Sequence, residues 1–230
     1  AVGADTLINR KYTLGAGFAY NASDIHTGSR DTDVDNKTLF VYGQYKPNKW
    51  FLNGTVAYTM AEYTESSSPF GMMLESTYDV DTFGAQMTTG YEFASGFVPN
   101  VGLRYLHTSQ DEYSNGVNTV KALDTDFLTG VAGVKYSFLV QNGKTLQLRP
   151  ELHAAATYDI VSDDAVATVL IPGVGTSYTI DSDNLSQWGG EFGVGLNMRY
   201  KGMEISLMYD LGLRQDYTSQ TGMIKIRSYF

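Results

Sequence analysis

The chain has 230 residues, a net charge of −9, 17 Tyr, 11 Phe, 24 Gly, 5 Pro and no Cys. This excludes disulfides, thiol catalysis and Cys-ligated metal, and the acidity argues against nucleic acid as a partner, because a phosphate-reading surface is basic. No apolar run approaches the ~18 residues of a membrane helix.

The opening "AVGADTLINR" carries no basic stretch followed by an apolar one, so no signal peptide is expected in this chain, which reads as mature or as a fragment. From there the dominant signal is period two. In "KYTLGAGFAYN", Tyr12, Leu14, Ala16, Phe18 and Tyr20 share one face and Thr13, Gly15, Gly17, Ala19 and Asn21 the other. "WFLNGTVAYTM", "FVPNVGLRYL" and "MEISLMYDLGLR" alternate in the same way. A helical repeat fits none of these segments, because positions i and i+3 differ in polarity.

Strands are predicted over 11–22, 36–46, 49–62, 77–93, 97–109, 122–138, 145–160, 186–200, 203–215 and 221–230. Each is long enough for the ~9–11 residues of a tilted membrane strand, whereas globular strands run to about 5–6 residues. The segment 145–160 contains Pro150, which removes a ladder donor.

Connection lengths alternate. "TLINR", "KPN", "ASG", "VQNGK" and "YKG" are short; 22–36, 63–77, 109–122 and 160–186 are long. Outer-membrane barrels have short periplasmic turns and long extracellular loops, so the expected fold is all-β: a transmembrane antiparallel up-and-down barrel. Segment 160–186 reads as a strand extension and hairpin, with "AVATVLI" and "TSYTI" flanking "PGVG". Basic residues gather at the short turns (Arg10, Lys46, Lys144, Lys201) and acidic ones at the long loops (Asp24, Asp31, Asp33, Asp35, Glu62, Asp79, Asp111, Asp159). Solvated loops explain that acidity; divalent-cation bridging to lipid phosphates is the functional alternative.

In such a barrel the apolar face meets lipid and the polar face lines the lumen. The outward set ends in aromatic residues (Tyr12, Tyr20, Tyr45, Trp50, Tyr58, Tyr91, Tyr136, Tyr158, Trp188, Tyr200), as interfacial girdles do. The expected lumen-facing charges are Arg104, Lys135, Arg149, Glu151, Glu191, Arg199, Glu204, Asp210 and Arg214, followed by Lys225 and Arg227. Wall-bracing ion pairs are the plain role for them. His153 shares a face with Glu151 and Arg149, which suggests acid–base work less strongly than a structural hydrogen bond. No H-E-x-x-H, G-x-S-x-G, phosphate-loop or EF-hand pattern occurs, so no catalytic, cofactor or metal residue is assigned.

Taken in order, "YTLGAGFAYN", "TLFVYGQYKPNKW", "DTFGA…GYEF", "P.VGLRY", "LRPEL" and the final "YD…DYTSQTG…F" resemble the translocator β-domain of classical autotransporters, the type V secretion family. The resemblance implies a twelve-stranded, monomeric, bacterial outer-membrane barrel that anchors its own N-terminal passenger and carries it to the cell surface. It also implies outer-membrane lipid, lipopolysaccharide and the barrel-assembly machinery (BAM) as partners. "AVGAD" corresponds to the tail of the family's second strand, so residues 1–230 are expected to hold ten complete strands and a stub. The alternation of Ile224, Ile226 and Phe230 resembles the family's C-terminal assembly signal, with Ser228 standing where a bulky residue is usual. A diffusion porin and, after it, an enzyme at the extracellular rim are the alternative functions.

Overall fold

The structure is a computed structural model that describes residues 1–28, 30–68, 73–115, 117–142, 146–163, 166–171, 176–181, 186–215 and 217–229. Its elements are β1 (Val2–Ile8), β2 (Tyr12–Thr27), β3 (Arg30–Tyr45), β4 (Trp50–Ser67), β5 (Leu74–Tyr91) and β6 (Phe97–Gln110). Then follow β7 (Tyr113–Ser114), β8 (Thr119–Val120), β9 (Leu123–Ser137), β10 (Gln141–Asn142) and β11 (Leu146–Ser162). The chain continues through β12 (Val166–Ile171), β13 (Thr176–Asp181), β14 (Trp188–Tyr200), β15 (Met203–Arg214) and β16 (Tyr217–Ser228).

The main sheet runs β1-β2-β3-β4-β5-β6-β9-β11-β14-β15-β16, with β10 added on β11. Every pairing is antiparallel. This is the predicted meander: ten long strands preceded by the seven-residue β1. The sheet curls until Arg227 of β16 reaches Asp5 of β1.

Its outer surface is apolar and uncovered by protein: Leu14 is 53 % exposed, Val56 42 %, Leu152 51 %, Val194 52 % and Ile224 72 %. A water-soluble sheet could not hold a band of this kind; a lipid-facing one must. Aromatic residues bound the band. Tyr12 and Tyr20, Trp50 and Tyr58, Phe83 and Tyr91, Phe97 and Tyr105 are each separated by the same number of positions on their strands. At the short-turn end the rings pack laterally: Tyr12 stacks on Tyr45 at 4.7 Å, Trp50 meets Tyr91 edge-on at 5.1 Å, Tyr91 meets Phe93 edge-on at 4.8 Å and Tyr136 lies tilted against Phe138 at 5.7 Å. At the other end the phenols donate to side chains on the neighbouring strand or its flank: Tyr20 to Asp35 at 2.5 Å, Tyr58 to Asp81 at 2.8 Å, Tyr105 to Asp126 at 2.6 Å and Tyr158 to Gln187 at 3.1 Å. Apolar ring bodies and wet tips suit an interface.

The sequence-based boundaries need one correction. The segments 22–36 and 63–77, expected as long loops, are mostly strand. β2 continues to Thr27 and β3 begins at Arg30, with Gly28 at φ 63; β4 continues to Ser67. Beyond the apolar band both faces meet water, so these extensions lack the apolar alternation that reveals a strand. Similarly, "TLINR" is strand as far as Ile8, and the turn is made by Asn9 and Arg10 at φ 50 and 56, the paired positive angles of a two-residue hairpin turn. Pro150 is tolerated because the β9–β11 ladder on its side ends at Glu151.

The hairpin expected in 160–186 is present, with Ile171 opposite Thr176. Unforeseen is its partner. β12 also pairs with β8, giving a four-stranded sheet in the order β13-β12-β8-β7. This sheet docks at the long-loop end. Tyr113 of β7 stacks at 4.1 Å on Tyr78, which stacks at 5.3 Å on Tyr63. Beneath lie Val34, Ala61 and Val80, the core cluster of the described residues, on the inner faces of β3, β4 and β5. Burial pushes the Tyr78 and Tyr113 phenols above their ordinary range.

Candidate functional site: the luminal wall

The inner face follows the pleat. Since Tyr12 and Tyr45 face outward, the register places Gly15 and Gly17 of β2 and Phe40 and Tyr42 of β3 inside. These two aromatic residues lie over glycines: a Cβ on Gly15 would come within 2.6 Å of the Tyr42 hydroxyl. Luminal aromatic residues were not anticipated from the sequence, although parity counted from Tyr45 would have found them.

The charged residues sort into two levels. Toward the long-loop end Arg104 on β6 forms a bidentate pair with Glu191 on β14, with Nη2 to Oε2 at 2.8 Å. Because β9 and β11 separate these strands, the pair is a chord across part of the lumen. Arg214 on β15 pairs with Asp159 on β11, which also accepts from the Thr129 hydroxyl at 2.7 Å. His153 Nε2 lies 2.9 Å from Asp210. Asp159, placed among the loop acids by sequence alone, is 4 % exposed and belongs to this wall. A register shift between Asp159 and Val161 marks where β11 leaves regular pairing with β9. Beside the chord lies a cavity of about 510 Å³ lined by Thr55, Gln86, Arg104, Phe127, Asp159 and Arg214.

Toward the short turns a second cavity, of about 700 Å³, is lined by Lys46, Glu92, Lys135, Arg149, Glu151, Arg199 and Glu204. Lys46 and Glu92 pair at 2.7 Å and Lys135 and Glu151 at 3.5 Å. Arg199 and Arg227 lie 5.2 and 5.5 Å from the centre of the Tyr229 ring, whose hydroxyl donates to Glu204 at 2.8 Å. Lys225 stands opposite Ser206, on the luminal side of β16. Arg149 and Arg199 are thus brought together at this end, apart from Arg104, Glu191, Asp210 and Arg214.

Chemically, the wall offers fixed charges of both signs at spacings that suit ion pairing. No group of three His, Asp or Glu side chains capable of holding a metal occurs among the described residues. On β16, Ile224 and Ile226 point outward, 72 % and 67 % exposed. Phe230, the last member of the expected assembly signal, lies outside the described residues.

A family model described as the autotransporter β-domain matches residues 1–212. The chain belongs to the autotransporter β-domain family. Among curated proteins it is 24 % identical to Outer membrane protein B of Rickettsia conorii over 253 residues, covering all of this chain and 15 % of that protein. It is 23 % identical to Outer membrane protein A of the same organism, of which it covers 12 %. The chain therefore spans a small fraction of the length of these relatives. Among solved structures, the translocator domain of the autotransporter NalP from Neisseria meningitidis matches with a TM-score of 0.78 at 18 % identity, covering 99 % of this chain and 77 % of that one. The β-domain of the Bordetella autotransporter BrkA matches with a TM-score of 0.68 at 12 % identity, covering 97 % and 86 %. This autotransporter β-domain is an outer-membrane β-barrel domain. Outer-membrane barrels have short periplasmic turns and longer extracellular loops; the turns Asn9–Arg10 and Lys201–Gly202 lie at the short-turn end of this one and the β7-β8-β12-β13 sheet at its long-loop end.

Proposed function

We propose that residues 1–230 form one domain that anchors a passenger polypeptide in the outer membrane and provides its route to the cell surface. The observation that carries this reading is the family match over residues 1–212. The luminal wall supports it. Arg104, Lys135, Arg149, Glu151, Glu191, Arg199, Glu204, Asp210 and Arg214 serve as a two-signed lining against which an extended or helical polar segment can rest, with ion pairing that satisfies the charges when the lumen is vacant. The domain works without catalysis of its own. The His153–Asp210 contact, at 2.9 Å, braces β11 against β15. The lipid-facing band and its girdles contact outer-membrane lipid and lipopolysaccharide, and the β16 pattern of Ile224, Ile226 and Phe230 is read by BAM.

One experiment tests both parts. A reporter fused ahead of Ala1, behind a signal peptide, should become accessible to external protease in intact Gram-negative cells. The same fusion lacking Phe230 should remain periplasmic. A reporter retained inside cells that carry a correctly inserted barrel would refute the translocator reading. Equal insertion without Phe230 would refute the assembly signal.

A further inference from the structure

The lipid-facing band is hollowed over β2–β6. Gly43 of β3 lies directly opposite Gly54 of β4, and both face outward, sharing the parity of Tyr45 and Trp50. Ala85 of β5 stands diagonal to Gly54, opposite Val56. Around this floor rise Leu14, Val41, Val56, Met87 and Leu103, all exposed. They enclose an apolar groove of about 710 Å³. Bare backbone makes the depth: a Cβ added to Gly54 would meet nothing nearer than the Gln86 carbonyl oxygen at 4.0 Å. A hydrocarbon chain in such a groove touches protein on several sides, whereas on the convex band beside it a chain touches on one, so the groove gains more dispersion contact.

The groove lies near the short-turn end. Gly43 is two positions from Tyr45 of the ring girdle, so the floor begins roughly 7 Å into the band. Three cations stand on the other side of that girdle. Arg10 and Lys11 lead into β2 and Lys49 leads into β4, all three exposed. None of them joins an ion pair among the described residues. The fourth cation of these two turns, Lys46, is turned to the lumen and neutralised by Glu92 at 2.7 Å. Neither turn contains a carboxylate. The unpaired charge is therefore concentrated at the ends of the strands that carry the groove.

We propose that the groove and these cations form a binding site for one anionic phospholipid of the periplasmic leaflet. An acyl chain lies over Gly43 and Gly54, and the phosphate is held by Arg10, Lys11 and Lys49. The proposal rests on the reading of the domain as an outer-membrane barrel with its short turns in the periplasm. The dimensions agree. From Lys49 to Gly54 is five residue steps, about 17 Å, comparable with the ~15 Å half-thickness of the hydrocarbon core. β2 and β4 are two strand spacings apart, roughly 10 Å, a gap that two long basic side chains and one phosphate fill. Such side chains lay their apolar stems along the girdle and keep their charge at head-group level.

The two tryptophans of the chain make the site measurable. Trp50 lies beside it, and Trp188, packed on Tyr158, lies at the long-loop end. In the 230-residue protein inserted into phosphatidylcholine vesicles, Trp188→Phe leaves Trp50 as the emitter, and Trp50→Phe leaves Trp188. Part of the lipid is replaced by phosphatidylglycerol or phosphatidylcholine brominated near the head-group end of its acyl chains, and quenching is compared at equal mole fraction. Trp50 should show about a tenfold preference for phosphatidylglycerol, as cations at an anionic surface provide, and Trp188 none. Lys11→Ala with Lys49→Ala should abolish the preference. Gly54→Leu, which fills the groove, should reduce it to about twofold, with heat-modifiable mobility showing both variants inserted. Equal quenching of Trp50 by the two lipids, an equal preference at Trp188, or an undiminished preference in Gly54→Leu would each overturn the site. So would shielding of Trp50 from both lipids, the result expected if a second copy of the chain covered the groove. Failure of the unaltered chain to insert would overturn the barrel reading, and the site with it.

Discussion

At the scale of the residue, the face on which a side chain lies decides what a change costs. Leu207 is outward and opposite Leu196 and Ile224; Leu207→Arg should destabilise the inserted barrel by about 2–4 kcal/mol, read from urea titrations of the folded fraction in lipid vesicles. Ser206 is the neighbour that parity suggests as a control, but it is 7 % exposed and donates to Asn197 at 2.6 Å. Thr221, luminal and exposed, is the better comparison, and Thr221→Arg should cost much less. Equal losses would contradict the facing. Beyond the membrane, His26 sits near the tip of β2. Its hydrogen bond to Asp31 at 2.7 Å, aided by the charges of Asp31, Asp24 and Asp33, raises its pKa above 6.5. A raised folded value means that the contact contributes fully below the unfolded pKa and is lost as pH rises through the folded one. An NMR titration should place the His26 midpoint above 6.5, and Asp31→Asn should lower it; an unchanged midpoint would remove the pair from consideration.

At the scale of the element, the β13-β12-β8-β7 sheet meets the barrel through the Tyr113–Tyr78–Tyr63 stack. Tyr113→Ala removes one aromatic pair, worth about 0.5–1.5 kcal/mol beyond its area. Proteolysis within 111–122 should accelerate while the heat-modifiable mobility of the barrel stays unchanged; loss of both would show that the cap and barrel fold as one unit. Legibility in the sequence also divides by element. β4, β6 and β15 could be read because lipid on one side and water on the other impose alternation. The upper halves of β2 and β3 could not, since water meets both faces there, and residues such as Asp24 and Asp33 carry no apolar period. β7 and β8, at two residues each, are too short for any period to register.

At the scale of the whole molecule, the sequence by itself determined the strand count of the main sheet, its up-and-down order, the lipid-facing side and the family. Those properties rest on local alternation and on turn length, which each segment carries within itself. The tertiary structure alone decided which charges meet. The strands of Arg104 and Glu191 are separated by two others, Asp159 joins the wall through Arg214, and Asp5 faces Arg227 from the far end of the chain. Such pairs depend on curvature and register summed over many strands. A stagger of one residue on any of them would exchange inner for outer faces, and no single segment of sequence records that sum.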